Sequence, residues 1–229
     1  MPNWVTNVLR IDCDDATLDK IKKSVASEKS VFDFNKIVPM PDSLMIDDIS
    51  DASWALHVLY YKPKSEATDA DPYGEEDWDD TDKYKAPYST DEEIRKRFDK
   101  LPEARKEQSI ELAKQYKHNI DNYGCKTWYE WSCENWGTKW NSSQPEAEGD
   151  EIRFDTAWST PYPIFKKLSE MYPEATLRID FADEDIGQNC GTYELKNGNE
   201  LSYEEGNEDF ALALKGWSKE DFDEDNDEN

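Results

Sequence analysis

The chain is poor in positive charge: 27 Lys and Arg face 53 Asp and Glu, for a formal net charge of −26 over 229 residues. A field of that sign repels nucleic acid and anionic membrane surfaces, so direct nucleic-acid binding is not expected and basic partners are. Histidine is scarce. Only His57 and His118 occur, and neither stands at zinc spacing from Cys13, Cys125, Cys133 or Cys190. The four cysteines form no Cys-x-x-Cys pair, which predicts reduced thiols and a cytoplasmic setting. No apolar run approaches the roughly 18 residues of a membrane span. Met1-Pro-Asn-Trp4 leads straight into an alternating segment, so no secretory leader is expected. Gly-x-Ser-x-Gly, His-Glu-x-x-His and Walker patterns are all missing, which leaves hydrolase and NTPase readings without support. The expectation is a non-enzyme with no cofactor, metal or catalytic residue.

The acids that are present are unevenly spread. Glu66–Asp82 holds nine of them and Glu220–Asn229 seven, with no base in either stretch, so these two segments carry more than half of the excess. The candidate partner-binding acids are Glu66, Asp69, Asp71, Glu75, Glu76, Asp77, Asp79, Asp80 and Asp82 in the first stretch, and Asp223, Glu224 and Asp225 in the second. Residues 218–229 read as an acidic tail whose composition predicts disorder. Such arms compete for a basic site with strong salt dependence. Asp69-Ala-Asp71-Pro-Tyr-Gly74 with Asp80 matches a calcium loop only in part, because position five is Tyr and no flanking helices are evident.

Alternation over Trp4–Ile11 predicts a strand, and Asp14 and Asp15 open a helix with Leu18, Ile21 and Val25 in register. A second strand is expected over Val31–Val38, stopped by Pro39-Met-Pro41. The unit repeats later: a strand through Ile152 and Phe154, a helix through Ile164, Phe165 and Leu168, and a strand through Leu177, Ile179 and Phe181. Two such units predict an α+β, ferredoxin-like split βαβ sandwich over 1–217, with half-units 1–41 and 150–185. The extension 186–217 carries a hairpin turning at Asn197-Gly198 and a short helix capped by Asn207. The long, largely helical insertion 42–149 is expected to hold an apolar strand at Trp54–Tyr61, a capping box at Thr90-Asp-Glu-Glu93 and a helix from Pro102 to Gly124.

Four of the nine tryptophans crowd into Cys125–Asn141. Trp128, Trp131, Trp136 and Trp140 can offer stacking faces to a base or nucleotide, with Lys139 for a phosphate. Alternatively they tie the insertion to the sheet, the commoner fate of large aromatics. Asp180, Asp183, Glu184 and Asp185 close the last core strand. They can hold Mg²⁺ or act as an acid–base pair, but such runs are more often a solvated strand exit. His57, in an apolar stretch, reads as a satisfied core residue.

The start Pro2-Asn-Trp-Val-Thr-Asn7, the segment Phe32–Pro41, Asn135-Trp-Gly-Thr-Lys-Trp-Asn141, Phe154–Pro161 and Ala182–Gly187 together resemble a family of phage-, prophage- and plasmid-encoded proteins with a ferredoxin-like domain. The likeness covers roughly 1–41 and 124–205, and the Asn135–Asn141 string is its most specific part. It implies a mobile-element context, hence host takeover or counter-defence, and brings no catalytic residue with it. Two functions follow. One is a non-enzymatic acidic protein that binds and inhibits a basic, nucleic-acid-binding host protein, as a DNA mimic does. The other is a small-ligand or nucleotide binder that uses the tryptophan run.

Overall fold

The computed structural model describes residues 3–61 and 90–218. They fall into two compact units, residues 3–40 with 132–218 and residues 41–61 with 90–131.

The first unit is built on a six-stranded sheet. Its strands are β1 (Trp4–Asp12), β2 (Ser143–Glu148), β3 (Glu151–Ala157), β4 (Thr176–Ala182), β5 (Cys190–Lys196) and β6 (Asn199–Glu205), in the order β2-β3-β1-β4-β5-β6. Every neighbouring pair is antiparallel. Helix α1 (Asp15–Val25) follows β1, and a helix at Tyr162–Met171 links β3 to β4. The first four strands therefore interleave as two split βαβ units, the ferredoxin-like arrangement, and β5–β6 extends the sheet. Alternation along β1 sends Val5, Asn7, Leu9 and Ile11, each at most 1 % exposed, to the helix-covered face. The two helices lie side by side there, with the Tyr172 hydroxyl 2.8 Å from Ser24 Oγ.

Val31–Val38 is not a strand. The second strand of the first unit is β2, which lies beyond the insertion. Phe32 and Phe34 are both fully buried and both meet the Phe154 ring, so they mimic a strand's period of two. Their backbone, however, is turned and held by side chains. Asp33 caps a short 3₁₀ turn at Phe34–Lys36, and Asn141 Oδ1 accepts the Phe34 N–H at 2.9 Å.

The second unit packs α2 (Ser50–Tyr60), α3 (Asp91–Asp99) and α4 (Glu103–Tyr123) around Ala52, Ala55, Leu56, Phe98, Ala113 and Tyr116. The strand expected at Trp54–Tyr61 is instead part of α2. Ala52, Ala55 and Leu56 are its buried stripe at helical spacing, which an apolar run alone does not distinguish from a strand. The Thr90–Glu93 capping box opens α3, and Gly124, at φ 73°, ends α4. His57 is buried, 2.5 Å from the Asp91 carboxylate and stacked on Tyr61.

Tyr116 donates to the Asp47 carbonyl at 2.5 Å and accepts the Ile49 N–H at 3.0 Å. Burial, against the pull of that N–H, pushes its hydroxyl from near 10 to about 12. A folded-state value raised in this way stabilises fully below the ordinary value and is lost as pH rises through the raised one. Urea unfolding of this unit at stepped pH is therefore expected to weaken between about pH 10 and 12. Tyr116→Phe should make that decline shallower, and an unchanged decline would mean that Tyr116 does not report it.

Candidate functional site

The sheet face opposite the two helices carries Thr6 and Arg10 from β1, Arg153 and Asp155 from β3, and Asp180 from β4, placed together by the antiparallel register. A last helix, residues Glu208–Lys215, covers one end of this face through Ala211, which packs on Ala182 and Cys190. Asn207 caps its start by accepting the Phe210 N–H at 2.9 Å. At its end Gly216 takes φ 73° and the Trp217 N–H bonds back to Leu212 at 3.0 Å, a Schellman turn that swings Trp217 out past the sheet.

Beside that turn lies a cavity of about 400 Å³. It is lined by Trp4, Thr6, Ser143, Gln144, Arg153, Asp155, Glu184, Lys215 and Trp217. Arg153 donates to the Leu214 carbonyl at 2.7 Å, a cation at a helix C-terminus. Lys215 reaches the Trp4 carbonyl at 3.3 Å and Thr6 Oγ1 at 3.4 Å, and its ammonium lies 5.1 Å from the Trp217 ring centre. Thr6 donates to Asp155 Oδ1 at 2.9 Å. Burial pushes the Lys215 ammonium below its usual range, although Asp155, Glu184 and Asp183 all pull it upward.

The tryptophan run divides. Trp136 is only 5 % exposed, donates through Nε1 to the Val38 carbonyl at 2.9 Å and lies edge-on to Phe34. Trp131 is buried as well, and Trp128 donates to Asp47 at 3.2 Å. Trp128 and Trp131 belong to the second unit. The expectation that all four rings offer stacking faces is corrected for Trp131 and Trp136, whose rings are buried. Trp140 remains 37 % exposed and packs at 5.9 Å on Trp4, a wall of the cavity. Lys139 sits 4.5 Å from the Trp140 ring centre and 4.9 Å from that of Trp158. Trp158 is exposed at φ 71°, a left-handed backbone rare for a bulky residue, with its N–H bonded to the Asn3 carbonyl at 2.9 Å.

The carboxylates at the end of β4 and just beyond it are not uniformly wet, as a solvated exit requires. Asp180 is buried, paired with Arg10 and bonded to Thr192 at 2.6 Å; Asp183 is buried and accepts from Asn189 at 2.8 Å. Only Glu184 and Asp185 are exposed. Among the described residues no three His, Cys, Asp or Glu side chains group as a metal set. The acidic candidates Glu66–Asp82 and Asp223–Asp225, with the partial calcium loop, lie outside the described residues. Of the cavity's charged residues, sequence reasoning named only Glu184 as a candidate. Thr6, Arg153, Asp155 and Lys215 are widely separated in the chain, and the only trace was polar alternation on β1 and β3.

Residues 135–227 match the family model described as the ferredoxin-like domain in Api92-like protein. A ferredoxin-like domain of that kind is present. The match includes five of the six strands, while β1 enters from the N-terminus at the centre of the sheet. Among solved structures, the protein api92 from Yersinia pseudotuberculosis is similar at 11 % identity and a TM-score of 0.40, over 90 % of this chain and 98 % of that one. No curated protein matches the sequence. Among the described residues no helix is long and apolar enough to cross a membrane.

Proposed function

We propose that the protein is a non-enzymatic binder that holds a small polar molecule in the cavity beside Trp4 and Trp217. One observation carries this reading: charged, hydroxyl and indole groups from five separate segments converge on a space of about 400 Å³, within the usual range for small-molecule sites. A ligand at a hundred times its dissociation constant raises stability by about 2.7 kcal/mol. Screening a polar metabolite library by thermal shift and tryptophan fluorescence is expected to give hits whose fluorescence change is lost in Trp217→Phe. A library without a hit, or hits indifferent to Trp217, would end the proposal.

A second reading has its own support. The outer strands β2 and β6 expose Glu146, Glu148, Glu200, Glu204 and Glu205 on a chain of net charge −26, which suits a basic, nucleic-acid-binding protein of a host cell's cytoplasm. Inhibition of such a partner, as in counter-defence by a phage or other mobile element, fits that charge. Capture from host lysate that disappears at high salt supports it; salt-insensitive capture argues against it.

A further inference from the structure

We infer that the ligand is a small zwitterion, its anionic end received by Lys215 and Arg153 and its ammonium by Asp155 and Glu184. This rests on the cavity being a ligand site, and it names the class of that ligand.

The charge pattern carries the inference. Two cations and two carboxylates line one cavity. Among the described residues none of the four forms an ion pair, although elsewhere Arg10, Arg105 and Lys126 all find carboxylates. Arg153 spends a donor on a helix carbonyl, and Lys215 makes only two long bonds. Asp155 has one oxygen engaged by Thr6. Asp155 and Glu184 thus act on the Lys215 charge across the cavity, with Thr6 between Asp155 and Lys215, but close no direct ion pair with it.

Their spacing suits a compact dipolar head group. Arg153 and Asp155 are two residues apart on one face of β3, about 7 Å along the strand. A carboxylate and an ammonium on a single carbon can offer one charge-assisted bond to each of two side chains that open into the same cavity. Net charge argues the same way. The four side chains sum to zero, so a neutral zwitterion enters without the repulsion that a chain of net charge −26 exerts on a phosphate dianion. Asp155 and Glu184 would add to that repulsion for a mononucleotide. The indole of Trp217, 42 % exposed, offers an apolar face to the rest of the ligand.

The test is calorimetry on the full chain with the twenty common L-α-amino acids, and with the N-acetyl and methyl ester forms of the tightest. One amino acid is expected to bind, with each blocked form at least about tenfold weaker. Lys215→Met should weaken the amino acid but leave the methyl ester unchanged, and Asp155→Asn should spare the N-acetyl form in the same way. A merely structural role would weaken all forms alike. If either variant unfolds, Glu184→Gln on the exposed loop takes its place and should likewise spare the N-acetyl form. Blocked forms that bind as tightly as the parent, or a mononucleotide that binds where amino acids do not, would overturn the zwitterion and leave the cavity reading standing. Silence from amino acids, nucleotides and the metabolite library together would overturn both.

Discussion

Trp136→Ala is expected to cost the sheet-bearing unit about 4 kcal/mol, the usual range for deleting a buried indole. The ring is 5 % exposed, so nearly all of its apolar surface is withdrawn from water. It sits edge-on to Phe34 at 5.8 Å between ring centres, and Phe34 in turn meets Phe154 of β3. Removing it opens a cavity at the end of that aromatic chain, against Phe34. It also strands the Val38 carbonyl, which accepts the indole N–H at 2.9 Å. Trp136→Phe separates the two contributions, keeping most of the packing and losing the bond, at about 1–2 kcal/mol. Trp140→Ala, at a half-open ring, should cost about 1 kcal/mol or less. Urea denaturation followed by far-ultraviolet circular dichroism measures all three. A Trp136→Ala protein within about 1 kcal/mol of the parent would mean that the ring is not the anchor its burial describes.

That anchoring explains why the tryptophan run reads ambiguously. Dense aromatics mark either core or contact surface, and composition cannot assign individual rings. Here the same short string does both jobs. Trp136 and Asn141 fasten the turn at Phe32–Val38, with Asn141 bonding both Phe34 N–H and Asp33 at 2.7 Å, while Lys139 and Trp140 face outward beside Trp4. Gly137, between them, stands at φ 77° with Pro163 where a Cβ would need to be, 2.6 Å away, so the reversal cannot tolerate a side chain. The second strand–helix–strand unit, and the strand and helix that open the first, were legible because their periodicity is local. β2 was not: Ser143–Glu148 is an edge strand rich in polar residues and lacks the apolar alternation that identifies β1, β3 and β4. The Phe32–Phe34 turn took its place because two buried aromatics two residues apart look like a strand whatever their backbone does. The cavity is harder still to see, since its charges come from segments that only the sheet register brings together.

Asn7→Leu is expected to destabilise the same unit by about 3 kcal/mol and lower its melting temperature by roughly 6–12 °C. Asn7 is fully buried in the middle of β1, among residues that are otherwise apolar on that face. Its amide donates to the Val5 carbonyl at 2.9 Å and to Thr156 Oγ1 at 2.8 Å, and its oxygen accepts the Thr160 hydroxyl at 2.7 Å. Leucine fills the volume but answers none of these groups, and buried polar atoms left unpaired cost more than the bonds contribute when made. The network also has a functional reach. Thr156 bonds the Ser159 carbonyl at 2.8 Å, and Ser159 bonds the Gly137 carbonyl at 2.5 Å, so the loop presenting Trp158 is tied at both ends to buried partners. Loosening it should let Trp158 leave its left-handed backbone and its place beside Lys139, seen as a change in Trp158 fluorescence lifetime in a variant that retains only that exposed indole on this edge. Thr160→Val alone is expected to cost about 1 kcal/mol, and the double variant less than the sum, because both remove the same bond. Strict additivity, or an Asn7→Leu protein as stable as the parent, would show that the buried amide does not hold the Trp158 loop.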